Sequence, residues 1–177
     1  MQNCPVSIFL AMSLDGFIAG PDGDLDFLDS IDHGEEDYGY HKFVNEVDTV
    51  LLGRKTYDKV MSFDVEFPHK DRKCFVFSTD SHNNDKNEFV KFVNMPPSDL
   101  IEEIRASGSK GIFCDGGANL IAQLHNDGLI DRYIISIIPV VLSSGISLFQ
   151  NFDTANLKFI ESASFPSGLV QLTYHSK

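Results

Sequence analysis

The sequence predicts one α/β domain, a mixed sheet with helices on both faces and a β-hairpin at the C-terminus. Three observations carry this. The apolar runs are short, nearly continuous and bounded by turn residues, as in strands covered on both faces. Those runs alternate with stretches of helical periodicity over most of the chain, the pattern of strand-helix-strand units. The last part then turns strand-rich. At 177 residues the chain suits a single core, since cores grow to roughly 250 residues before chains split into domains.

Taken in order, residues 6–12 (VSIFLAM) form the first buried strand, which stops at the turn Ser13-Leu14-Asp15-Gly16, and Pro21-Asp22-Gly23 marks a second tight turn. Residues 48–53 (DTVLLG) read as a second buried strand, followed at once by a helix over 55–61. Residues 73–77 (KCFVF) and 89–93 are the third and fourth strands. Pro96-Pro97-Ser98 opens a helix through Arg105, because proline is tolerated in a first turn and Asp99 and Glu102 suit the positive end of the helix dipole. A strand over 111–114 runs into Gly116-Gly117 and an amphipathic helix with Leu120, Ile121 and Leu124 on one face. Residues 133–142 form a long β-branched strand whose Pro139 suits an edge or bulge, since it cannot donate to a ladder. Residues 157–165 and 169–174 flank Pro166-Ser167-Gly168 as a hairpin. No repeat, linker or domain boundary divides residues 1–177.

Composition narrows the function classes. With 42% hydrophobic, 11% aromatic and 23% charged residues the chain can bury a real core, which excludes a disordered segment. Its net charge of −12, from 26 acids against 14 bases, repels phosphate backbones and anionic lipid, so neither nucleic acid nor a membrane is an expected partner. Cys4, Cys74 and Cys114 lie far apart without a CxxC pair, which points to a reducing compartment. The apolar N-terminal stretch has no basic flank and stops at Asp15, and no segment reaches the roughly 18 apolar residues of a membrane span. A cytoplasmic protein is expected.

GxGxxG, GxxxxGK[ST], HExxH and GxSxG are all missing, and the six histidines are scattered without ligand spacing, so no metal site is expected. Two strand-to-helix junctions do have the chemistry of phosphate sites. At Gly53-Arg54-Lys55-Thr56 glycine lets backbone approach a ligand, the helix start offers unpaired N–H groups, and two adjacent cations add charge; a capped helix with solvated bases is the plainer reading. At Asp115-Gly116-Gly117-Ala118-Asn119 a buried strand again meets two glycines and a helix start, which suits a pyrophosphate or merely tight packing.

In order along the chain stand AMSLDGFIAG (11–20), VDTVLLGRKTY (47–57), FVFST (75–79), DGGANLIAQL (115–124) and GLIDRYIISIIPVVLSSGISLF (128–149). With these segments the sequence resembles the dihydrofolate reductase-like family, in the branch similar to the reductase domain of the bifunctional riboflavin-biosynthesis deaminase-reductase. The resemblance implies a three-layer fold around a mixed sheet of about eight strands, with NADPH along the strand ends. It implies that Ala11 and Ile18 line the nicotinamide end, that Gly53, Arg54, Lys55 and Thr56 hold phosphates with the bases toward the 2′-phosphate, that Ser78 and Thr79 flank the adenosine half, and that Gly116, Gly117 and Ala118 hold the pyrophosphate. Cations at the ribose favour NADPH over NADH.

On the substrate side, the family's acid beyond a loop tryptophan has no clear counterpart, because this chain has no tryptophan. Phe27 takes the matching aromatic place and Asp32 lies where the acid falls, with Asp26 and Asp29 equally near. Asp15 is a further candidate through the resemblance, although a turn-forming Asp before glycine is its plainer reading. The function implied is an NADPH-dependent reductase of a pterin-like or pyrimidine-like heterocycle, of the riboflavin-pathway or dihydrofolate reductase kind. A riboflavin-pathway reductase must grip a sugar phosphate, for which the chain offers only His69, Lys70, Arg72 and Lys73. The alternatives are an NADP(H)-binding module without turnover and a structural dimerisation protein. Apolar residues of the C-terminal hairpin do not all fall on one alternating face, so a homodimer with this region in or near the interface is expected.

Overall fold

The computed structural model describes residues 4–32, 34–63, 66–80 and 89–177. In chain order these form β1 (Val6–Ser13), β2 (Phe17–Ala19), a 3-10 turn (Asp26–Ser30), α1 (Tyr40–Val44), β3 (Thr49–Gly53), α2 (Arg54–Met61), β4 (Lys73–Phe77), β5 (Val90–Val93), α3 (Pro97–Ala106), β6 (Ile112–Gly116), α4 (Ala118–Asn126), β7 (Arg132–Ile138), β8 (Ile146–Ser147), β9 (Leu157–Ser164) and β10 (Val170–Ser176). Eight strands build one sheet in the order β5-β4-β3-β6-β1-β7-β10-β9, while β2 and β8 pair separately. The first six strands of that order are mutually parallel, and β10 and β9 run antiparallel at the edge. The expected mixed sheet with its hairpin is therefore the fold.

Strand alternation sorts the core into two layers. Val50, Leu52, Cys74, Val76 and Phe113 face Phe43 of α1 and Tyr57 of α2. Leu51, Ile112 and Cys114 face the opposite way, onto Leu100, Ile101 and Ile104 of α3 and Leu120, Ile121 and Leu124 of α4. Central strands are covered on both sides, which is why they read as continuous apolar runs. The three cysteines are free and buried, and burial pushes the thiols of Cys74 and Cys114 up to about 12, so they are inert fillers. No helix of the described residues is long and apolar enough to cross a membrane.

Several boundaries differ from the sequence expectation for physical reasons. The strand expected over 133–142 ends at Ile138, because Pro139 brings no N–H to a ladder. The segment beyond it crosses to the turn after β1, where the Leu14 N–H donates to the Val140 carbonyl at 2.8 Å. In the hairpin, the Phe165 N–H donates to the Leu169 carbonyl at 3.0 Å, and Gly168 closes the turn at φ +87°.

Candidate functional site

Chain direction creates a crevice at the carboxyl ends of the parallel strands. β3 passes through α2 to β4, moving toward one edge of the sheet, whereas its neighbour β6 passes through α4 to β7, moving toward the other. Adjacent strands whose helices depart to opposite faces leave an opening between the helix starts, the usual place for a ligand in open α/β sheets. Both expected phosphate junctions lie there: Gly53 precedes α2 and Gly117 precedes α4, and Leu52 pairs with Gly116 across the two strands.

Neither helix start carries a side-chain cap, so the first N–H groups of both face the crevice without an intrahelical partner. The glycines make this close approach possible. A Cβ on Gly53 would lie 3.5 Å from the Gly117 nitrogen, and one on Gly117 would lie 2.7 Å from Thr56 Oγ1, tighter than real contacts allow. Gly116 has φ +114°, a region closed to most side chains. Gly53, Thr56, Gly116, Gly117 and Ala118 thus form one backbone-lined cradle in which two orphan N–H sets and two dipoles converge. This fits an anionic group such as a pyrophosphate.

Arg54 and Lys55 stand at the mouth. The Arg54 Nε donates to both carboxylate oxygens of Asp58, at 2.8 and 2.9 Å, and its guanidinium lies over the ring of Phe92 in β5; Lys55 is exposed. Ser78 follows β4, its N–H bonded to the Val93 carbonyl at 2.9 Å and its Oγ accepting from the Asp80 N–H at 3.2 Å, and Thr79 is exposed beside it. Since Phe77 pairs with Gly53, Ser78 continues the crevice toward the β5 edge. At the other end Ala11, near the finish of β1, packs in a small cluster with Phe27, Ile31, Ile138 and Leu169, and half-buried Ile18 lies in β2.

The candidate acids are placed otherwise than expected. Asp32 is exposed, and its Oδ1 accepts from the Gly34 N–H at 3.0 Å within its own turn; Asp26 and Asp29 are exposed too. Asp15 accepts from the Ser13 hydroxyl (2.7 Å) and from the N–H groups of Leu142 (3.0 Å) and Ser143 (2.7 Å). The Ser13 bond foremost holds its carboxyl below the usual range. Asp15 lacks the buried setting that keeps a carboxyl protonated for proton donation and serves as a loop clamp. Phe27 is buried in the cluster with Ile31, Ile138 and Leu169.

A carboxylate does sit at the glycine junction. Asp115 Oδ2 lies 2.8 Å from Nε2 of His69, which is 1% exposed. The rings of Phe67 and Phe113 enclose that imidazole edge-on, with centroids at 5.6 and 5.8 Å. Burial first, and then the Asp115 charge, push the Tyr40 hydroxyl up to about 12 against the lowering effect of Arg72. Arg72 donates to the Val44 carbonyl at 3.1 Å. Of the further bases His69, Lys70, Arg72 and Lys73, His69 is buried, Lys70 pairs with Glu66 at 2.8 Å and Arg72 is tied to the end of α1.

Residues 59–171 match the model of the RibD C-terminal domain family. The chain is 38% identical to Uncharacterized protein YwjB of Bacillus subtilis (strain 168) over 167 residues, 94% of this chain and 95% of the relative. The chain belongs to the RibD C-terminal domain family. Among solved structures, a putative riboflavin biosynthesis protein from Shewanella sp. PV-4 superposes with a TM-score of 0.90 at 32% identity, covering 98% of this chain and 99% of that one. A dihydrofolate reductase from Enterococcus faecalis complexed with NADP(H) shares the fold at TM-score 0.65 and 16% identity, covering 98% and 96%.

In this RibD-like chain the junction glycines are legible in sequence because strand, glycine and helix start are contiguous. His69 and Asp115 are not, because they lie 46 positions apart and only the sheet brings them together. The usable signals were a histidine between the aromatic-rich stretches of residues 63–77 and an acid directly before Gly-Gly.

Proposed function

We propose that this protein is an NADPH-dependent reductase that transfers hydride to a C=N or C=O bond of a small pterin-like or pyrimidine-like heterocycle. The observation that supports it most is the paired, uncapped starts of α2 and α4, packed together where a Cβ on Gly117 would meet Thr56 Oγ1 at 2.7 Å, with two cations at the mouth. In this reading Gly53, Thr56, Gly116, Gly117 and Ala118 hold the pyrophosphate, Arg54 and Lys55 the 2′-phosphate, Ser78 and Thr79 the adenosine half, and Ala11 and Ile18 the nicotinamide end. Bound NADPH supplies the hydride. The chain itself orients the partners, shields the reacting face with Phe27 and its neighbours, and presents Asp115 as the acid nearest the junction. The Shewanella relative's description as a riboflavin biosynthesis protein supports the same reading.

The test is cofactor choice. Replacing Arg54 and Lys55 together by Ala is expected to weaken NADPH binding by at least about tenfold and NADH binding little, because charge-assisted bonds to phosphate are among the stronger kind. Loss of the exposed Arg54–Asp58 pair costs the fold at most about 1 kcal/mol, so the variant remains folded. Equal weakening of both cofactors in a fluorescence titration overturns the assignment. A wild-type chain that binds NADPH but oxidises it with no heterocycle of a broad panel is instead a binding module.

A further inference from the structure

The carboxyl ends of the central strands carry charge of two kinds. Where β3 and β6 finish, the starts of α2 and α4 bring two sets of helix N–H groups together with Arg54 and the exposed Lys55, which makes that end of the crevice positive. The next two strands in the sheet, β1 and β7, finish in loops of opposite character. Residues 13–32, running on from β1, hold six acidic side chains and no lysine, arginine or histidine, and residues 138–149, running on from β7, hold no charged side chain at all. These two loops are joined: Asp15 accepts from the N–H groups of Leu142 and Ser143, β2 pairs with β8, and the 3-10 turn bearing Asp26 and Asp29 places Phe27 in one cluster with Ala11 and Ile138. Leu14 and Val141 stand on them 63% and 60% exposed. Elsewhere acids are matched: Arg132 meets Glu46 at 2.8 Å, Arg105 meets Asp131 at 3.1 Å and Lys70 meets Glu66 at 2.8 Å. Among the described residues none of the six acids of 13–32 has a lysine or arginine in an ion pair.

We propose that the β1–β7 end of the crevice excludes phosphate, so that the heterocycle reduced here is unphosphorylated and carries a neutral or cationic substituent. The inference rests on reading the crevice as the reductase site and narrows the substrate class of that reading. A bound phosphate needs cations or free N–H donors. These loops bring no cation, and the N–H groups of Leu142 and Ser143 are already taken by Asp15. A phosphate dianion beside six carboxylates is repelled over about 10 Å at 0.1 M salt, whichever way each side chain turns. The cofactor's own phosphates escape this field because they lie at the β3–β6 end in that reading.

The test uses the full chain saturated with NADPH and three probes that differ at one position: uridine, uridine 5′-monophosphate and 5′-amino-5′-deoxyuridine, which are neutral, anionic and cationic there. NMR shift titration at low salt is expected to show the monophosphate binding at least about tenfold more weakly than uridine, and the amine no more weakly than uridine. The gap is expected to narrow at about 0.5 M salt, as screening shortens the reach of the acids. Asp26→Lys with Asp29→Lys, both at exposed positions, is expected to bring the monophosphate close to uridine. Glu102→Lys with Glu103→Lys makes the same change in net charge on α3, where neighbouring Arg105 reaches the Cys4 carbonyl before β1, and is expected to leave the ratio unchanged. A wild type that binds the monophosphate as tightly as uridine, a gap that ignores Asp26 and Asp29, or a Glu102 and Glu103 variant that closes it equally overturns the inference. NADPH affinity, measured on the same samples before the probes are added, separates that result from failure of the reductase reading, in which NADPH itself does not bind and the inference falls with it.

Discussion

Asp15 ties together two loops that the sequence separates by more than 120 residues. Its carboxylate takes the Ser13 hydroxyl and the N–H groups of Leu142 and Ser143, so it pins the turn after β1 to the segment after β7. The Ser13 bond foremost and the backbone bonds after it lower its pKa below 3.8, outweighing partial burial. A carboxyl more acidic in the folded than in the unfolded chain stabilises above its unfolded value, and that contribution disappears as pH falls through the folded value. Asp15→Asn is therefore expected to melt below wild type at neutral pH, with the gap in melting temperature closing as the pH falls below the ordinary aspartate range. A gap that stays constant to pH 2 means that the charge does not act. As a turn residue Asp15 was legible from its place before Gly16; its partners at Leu142 and Ser143 were not, because no local pattern records a contact with a distant backbone N–H.

The starts of α2 and α4 work as a unit, because Gly117 packs directly on Thr56. Gly117→Val puts a branched side chain where even a Cβ would come within 2.7 Å of Thr56 Oγ1, which drives the two helix starts apart. Overpacking of this kind costs about 1–3 kcal/mol, within the reach of a folded domain, and NADPH affinity is expected to fall at least about tenfold as the two N–H sets lose their convergence. Thr56→Ala in the same chain removes the opposing oxygen and is expected to recover part of the affinity. Wild-type NADPH binding by the single variant shows that the glycines serve packing alone. Elements of this size are what a sequence records well: the central strands and α2, α3 and α4 stand within a few residues of where their apolar patterns place them. α1 escapes because five residues after a left-handed Gly39 carry too little periodicity to read. β2 and β8 escape because strands of three and two residues exist only through pairing with each other.

At the scale of the whole molecule, the β9 edge of the sheet has no further strand beside it among the described residues. Residues 158–164 of β9 are exposed on both faces, and β9 pairs with β10 alone. Around this edge Phe149, Phe159, Ile160 and Val170 are all more than a third exposed. Beside it a cavity of about 300 Å³ opens between the end of α4 and the last strands, lined by Phe149, Phe152, Leu157, Leu172 and Tyr174. A long unpaired edge with bare aromatics invites association, which folded proteins resolve by covering it. A net charge of −12 opposes association through charged surface, this apolar region offers a contact that two copies can share, and a twofold contact covers both edges at once. We propose a homodimer built on it. Light scattering across micromolar concentrations is expected to report about twice the 19.7 kDa of one chain. Replacing Phe149 and Phe159 by Glu places like charges across the twofold contact and is expected to weaken association at least about thirtyfold, since buried aromatic anchors each contribute about 2 kcal/mol or more, while the melting temperature of the separated chain changes little because both rings are half-exposed. A wild-type chain that scatters as a monomer of about 20 kDa throughout that range overturns the dimer, and a double variant that remains dimeric moves the interface away from this edge.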